Sequence, residues 1–227
     1  MKKEDYLLRI LEEMALHIGR MVKQALALQN EGQRQEAHET ISQAIEDLVK
    51  LPTERLVRLD FDVILDRIKN AGVWEERAFY LGQLLKQDAD FYKAEDDDTA
   101  VYLRQVLALK LWLSLDVQSE EPLVTVEQID QLIDELDEYQ HHSTLYHQMM
   151  TFYLGQKQFA NAENVLFEWL ESEVALQDID QFNPMEHGLE FYEQLDSLDD
   201  AILEAGGLPR AELINGKNEL LAFYEEE

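Results

Sequence analysis

The residues best suited to chemistry in this chain are its six histidines and a large store of carboxylates. His142 and His147 stand five positions apart, a spacing that turns two side chains away from each other by most of half a helical turn. They straddle an expected helix start at Ser143, so the pair gives little support to a shared metal ion. His38-Glu39 lacks the second histidine one turn later that would place two imidazoles on one zinc. Asp96, Asp97 and Asp98 lack the glycine and the distal bidentate glutamate of a calcium-binding loop, and they suit the capping of a helix instead. Gly216-Lys217 has Ala211 where a phosphate-cradling loop needs its first glycine, and no GxGxxG or GxSxG occurs. Carboxylate pairs are so numerous that none stands out as a general acid and base, because burial and split pKa values identify such pairs. With no cysteine, thiol nucleophiles, disulfides and thiolate metal sites are excluded together. No catalytic, cofactor-binding or metal-binding residue is assigned, and no cofactor is expected.

Side chains of this kind would be positioned by helices. Glycine (9) and proline (4) are scarce among 227 residues, and no stretch alternates with period two. The periodicity predicts a first helix over about Glu4 to Asn30, with Leu7, Leu11, Met14, Ile18, Met21, Ala25 and Leu28 on one stripe. That stripe would serve either a homodimer seam or a contact with the protein's own second helix. Its alanines and methionines favour the internal contact. A second helix is expected from about Gln35 to Leu51, ended by Pro52. One or two shorter helices follow over Thr53 to Lys69, with a stop at Asn70, Ala71 and Gly72. Further helices are expected over Trp74 to Tyr92 and over Ala100 to Leu115, the latter capped by Asp98 or Thr99.

Residues 116–124, DVQSEEPLV, read as a linker between an N-terminal helical region, 1–115, and an acidic C-terminal region, 125–227. Thr125 with Gln128 forms a capping box for a helix over Val126 to Tyr139. Its Asp134, Glu135, Asp137 and Glu138 read as a wet face opposite Ile129, Leu132, Ile133 and Leu136. A hairpin from Leu145 to Glu173 and a helix starting after Asn183-Pro184 come next. Two last helices, from Leu198 and beyond Pro209, lead to an acidic tail, Glu225 to Glu227.

The charge is uneven. Residues 1–110 carry 16 Lys and Arg against 21 Asp and Glu, a net of −5, whereas residues 111–227 carry 3 against 27, a net of −24. Such a surface repels phosphate backbones, so nucleic acid is not an expected partner. It either attracts a basic protein or keeps the chain dissolved. The start MKKEDYLL and the interrupted apolar run Val106 to Leu115 indicate neither a signal peptide nor a membrane span, and a cytoplasmic location is expected.

The segment Met21 to Pro52 places Ala25 and Leu28 on one helix face, Gly32 at a turn, and Ala37, Ile41 and Ala44 on the next helix. Ala37, Ala100 and Ala162 each fall early in the second helix of a hairpin, 63 and 62 residues apart. On these residues the chain resembles the tetratricopeptide (TPR) repeat family. A third hairpin keeps Tyr153, Phe159, Ala162 and Leu166 and departs from that pattern at Met150 and Trp169. The resemblance implies an all-α, irregular array of antiparallel hairpins of the right-handed superhelix type. The opening, through Asp5, Tyr6, Leu8, Arg9 and Ile10, is also similar to a family of uncharacterised bacterial proteins with TPR-like helices, over about the first 115 residues; that likeness implies no activity.

The expected function is therefore a non-catalytic protein-interaction or scaffold module that binds a basic or amphipathic protein segment. Trp169, Phe182, Phe191, Tyr192, Phe223 and Tyr224 lie among acids, a composition that suits a groove for a basic, apolar peptide, although helical spacing makes core packing the default for most of them. Resemblance to TPR proteins, whose first helices line the groove, nominates Val22, Gln29, His147, Thr151 and Leu154 for partner binding. Two other classes compete: a ligand- or peptide-sensing regulator, which requires a closed polar pocket, and a metal-dependent hydrolase using histidine and acid ligands.

Overall fold

The computed structural model describes residues 2–70, 73–172 and 182–225, with side chains described from residue 9 to 222 within those ranges. The side chains of Asp5, Tyr6, Leu7, Leu8, Phe223, Tyr224 and Glu225, together with Ala71, Gly72, Glu173, Glu226 and Glu227, lie outside the described residues. Among those described, the protein is all helical, with twelve α-helices and no strand. It divides into two compact units, Met1–Glu138 and Tyr139–Glu227.

The first unit opens with α1 (Lys2–Asn30) and α2 (Arg34–Val49), reversed at Gly32, whose φ of +81° is a conformation glycine adopts without strain. Ala25, Ala37 and Ala44 are fully buried, and their lack of bulk lets the two helices pack closely. The stripe on α1 is unevenly covered: Ile18 and Ala25 are buried, while Leu11, Met14, Met21 and Leu28 stay half-exposed. α1 packs on α2 and also on α5, which is the internal contact. α2 stops at Lys50, two residues before the expected proline, because Lys50 turns left-handed (φ 57°) and its N–H closes on the Glu46 carbonyl. Two short helices follow, α3 (Thr53–Leu56) and α4 (Phe61–Asn70).

α5 (Trp74–Lys93) and α6 (Asp98–Leu113) form the most closely packed hairpin. Gly82 permits this approach, since a Cβ there would stand 2.2 Å from Nε1 of the buried Trp112. The cap of α6 is Asp97, whose carboxylate accepts from the Ala100 N–H at 3.0 Å, in place of the expected Asp98 or Thr99. α7 (Val126–Asp134) starts at the expected Thr125/Gln128 capping box but ends well before Tyr139.

The boundary between the two compact units falls after α7. Ile129, Leu132 and Leu136 are fully buried, and Val124 within the expected linker is buried too. Glu135, expected on a wet face, instead accepts from Lys86 Nζ at 2.5 Å, Lys93 Nζ at 2.9 Å and Gln105 Nε2 at 2.7 Å. Burial pushes its carboxyl upward, but the two lysines outweigh this and hold it below its ordinary value. Charge is redistributed accordingly: residues 1–138 carry 16 basic against 30 acidic side chains (−14), and residues 139–227 carry 3 against 18 (−15).

The second unit contains α8 (Ser143–Gly155), α9 (Phe159–Glu171), α10 (Pro184–Asp196), α11 (Asp200–Ala205) and α12 (Arg210–Glu225). α8 and α9 form a hairpin, and α10 packs on α9 and α12. Phe191, Tyr192, Leu195, Leu213 and Leu220 are buried with Leu166 and Trp169, so three of the six aromatics that lie among acids are core residues, as helical spacing leads one to expect. No described helix is long and apolar enough to cross a membrane.

Candidate partner-binding site

The site is built by the starts of α8 and α10 over the side chain of α9's Trp169. α10 begins where Asn183 Oδ1 accepts the Met185 N–H at 2.9 Å and Pro184 takes the first helical position, which leaves Phe182 just outside the helix. Trp169 is fully buried, and its Nε1 donates to Ser143 Oγ at 3.1 Å. Its ring stacks on His187 with centroids 5.7 Å apart. His147 completes the cluster, with its centroid 4.5 Å from that of His187, 4.7 Å from Phe182 and 6.2 Å from Trp169. His147, Phe182 and His187 are all half-exposed, so the cluster is a surface floor with Trp169 beneath it.

Burial holds the His147 imidazole below its ordinary value, and neighbouring His187 adds to this against the opposing pull of Glu190. At neutral pH His147 is therefore an uncharged aromatic ring. Glu190 stands at the rim, its Oε2 3.5 Å from His187 Nδ1 and its side chain 76% exposed. The rings below and the exposed carboxylate beside them can receive a lysine or arginine side chain through its apolar stem, its charge and its attraction to aromatic faces.

Of the five nominated residues, His147, Thr151 and Leu154 lie on α8 in the second unit; Thr151 is exposed and Leu154 half-exposed. Val22 and Gln29 are half-exposed on α1 of the first unit, so the nominations fall into two sets, one in each compact unit. His142 caps α8 in extended backbone, and His187 meets His147. Among the described residues no group of three or more histidines and acids is placed to hold a metal ion. His187 was missed in the sequence; its place one turn beyond the Asn183-Pro184 start was the available signal.

A second polar constellation lies inside the first unit. Arg104 and Asp88 are both about 1% exposed, and Arg104 Nε donates to Asp88 Oδ2 at 2.5 Å. Its remaining nitrogens donate to Glu54 Oε1 at 2.5 Å and to the Ala100 carbonyl at 3.2 Å. His38 Nδ1 lies 3.0 Å from the other Asp88 oxygen, its Nε2 3.5 Å from Glu95. The Asp88 hydrogen bond raises the His38 pKa against the effect of burial. Tyr92 packs against both, its ring 4.1 Å from the Arg104 guanidinium and 4.2 Å from His38. The two carboxylates facing the His38 imidazole favour its charged form, and the network ties α2, α3, α5 and α6 into one body. The clue in the sequence was an arginine inside the apolar run of α6.

No curated protein and no solved structure matches the chain. Residues 1–225 match the profile of a family described as of unknown function, DUF6483, and the protein belongs to that family.

Proposed function

We propose that the protein is a non-catalytic interaction or scaffold module of the cytoplasm, in which the second unit binds a basic, amphipathic protein segment. The observation that carries this reading is the floor of His147, Phe182 and His187 set among exposed acids. Of the unit's three cations, Arg210 and Lys217 are taken up by Asp196 and Asp200, which leaves the acidic excess to attract an outside partner. The α1/α2, α5/α6 and α8/α9 hairpins, with small residues at their contacts, support an irregular TPR-like array as the scaffold. Binding would then proceed by shape and charge, with electrostatics speeding encounter.

Fluorescence anisotropy tests this with the full chain and a labelled amphipathic helix peptide bearing arginines on one face and leucines on the other. Saturable binding, weakened at least tenfold by His147→Ala together with Glu190→Gln, is the expected result. Equal binding by wild type and variant rejects the site.

A further inference from the structure

In the first unit a cleft of about 270 Å³ lies between the ends of α2 and α4 and the start of α5. Lys50, Arg67 and Arg77 line it, an unexpected gathering of cations in a chain of net charge −29. The one acid in the lining, Asp47, is engaged elsewhere: its Oδ1 accepts from Gln43 Nε2 at 3.1 Å and its Oδ2 faces His17 Nε2 at 3.3 Å. Among the described residues, the side chains of Lys50 and Arg67 make no hydrogen bond or ion pair.

Helix dipoles draw cations to C-termini, which suffices for Lys50 after α2 and Arg67 in the last turn of α4. Arg77 stands at the opposite kind of end, the fourth residue of α5, where the dipole disfavours a cation. It is held there by a hydrogen bond from its guanidinium to the Leu48 carbonyl at 2.7 Å. Lys50 occupies a left-handed backbone conformation (φ 57°) that glycine would adopt more readily, so a lysine is kept at a position that strains it. The remaining lining residues, Leu48, Val49 and Ile68, are apolar.

We propose that this cleft binds a small organic dianion, a phosphate monoester with an apolar body. Three cations against one engaged acid leave a local charge near +2, which one phosphoryl group carrying about −1.5 to −2 matches. Arginine forks suit its oxygens. A monocarboxylate would satisfy half of that charge. A dicarboxylate would set its second charge against the apolar wall, and inorganic phosphate would leave that wall empty. This site is separate from the one proposed for the second unit, and its failure would leave that reading untouched.

The test is a nitrogen-15 NMR titration of the full chain with phenyl phosphate, benzoate, succinate and inorganic phosphate. Phenyl phosphate should saturate, shifting the amides of residues 47–50, 67, 68 and 77, with each other probe at least tenfold weaker. The Lys50→Gln/Arg67→Gln variant, which spares Arg77 and its structural contact, should bind phenyl phosphate at least tenfold more weakly. Arg67→Gln alone, on an exposed helix end, serves if the double variant does not fold. Absence of saturable shifts, shifts confined to other residues, equal affinity for benzoate, or undiminished binding by the folded variants would overturn the proposal.

Discussion

Arg104→Met would test whether the first unit is held together by its internal charge network. Methionine retains much of the side chain's length but removes the partner of Asp88 Oδ2, at 2.5 Å, inside a fully buried setting. Breaking one side of a buried ion pair costs about 3–5 kcal/mol, because the surviving charge stays desolvated. His38 remains 3.0 Å from the other Asp88 oxygen and Glu54 is 64% exposed, so the lower end applies, about 3 kcal/mol. At roughly 4 °C per kcal/mol for a unit of this size, the midpoint should fall by about 12 °C. Urea unfolding followed by far-ultraviolet circular dichroism measures the loss directly, provided the slope is unchanged. Removing both charges, in Asp88→Leu/Arg104→Met, should recover about 2 kcal/mol of it. The variant's pH dependence carries a sign as well. His38 has a raised folded pKa, so its contribution is complete below the ordinary value of 6.5 and is lost as pH rises through the folded value. With Arg104 gone this becomes the main compensation for Asp88, and Arg104→Met should lose further stability above neutral pH. A cost below about 1 kcal/mol, or a double variant weaker than the single one, would refute the reasoning.

Glu163 accepts from the Tyr192 hydroxyl at 2.6 Å, yet burial, reinforced by Glu219 and Glu212, raises its pKa. Its ionised form therefore costs stability as pH rises from the unfolded value toward the folded one, and Glu163→Gln should be the more stable protein at pH 7, by less than about 1 kcal/mol given solvent screening. Gly82→Ala would drive a methyl into the Trp112 ring, whose nearest atoms lie 2.2 to 2.9 Å from the added carbon. Overpacking costs about 1–3 kcal/mol, the 2.2 Å approach puts this site at the upper end, and helix propensity returns up to about 1, so thermal unfolding should show a net loss of about 2 kcal/mol. For His147, whose folded pKa is lowered, the stability of the neutral ring is lost as pH falls through 6.5 toward the folded value. Basic-peptide affinity should fall as pH drops through the folded value, where the ring gains its charge, and His147→Phe should flatten that dependence in an anisotropy titration.

Signals carried by a few adjacent residues were legible in the sequence. Thr125 with Gln128 and Asn183 with Pro184 mark helix starts because cap and acceptor lie within one turn of each other. The α1/α2 hairpin was readable because Ala25, Ala37 and Ala44 identify the surface where two helices touch. What was not legible depends on partners distant in sequence. Asp88 and Arg104 meet across α5 and α6, and Glu135 meets Lys86, 49 residues earlier, so its place in an acidic run misreported it as solvated. The same ties hold α7 to the first unit. For the candidate site, His147 stood out by its spacing from His142 and by the TPR resemblance, and Trp169 and Phe182 by their place among acids, but only the packing of α10 on α9 reveals His187 beside them.

The central claim, that the acidic second unit receives a basic segment over its aromatic and imidazole floor, is tested most directly by hydrogen exchange of the full chain with and without saturating basic amphipathic peptide. The account predicts slowed exchange in α8 and at the start of α10, around His147 and His187, fading at high salt. Protection confined to other helices, or none under conditions where the peptide is bound, would contradict it.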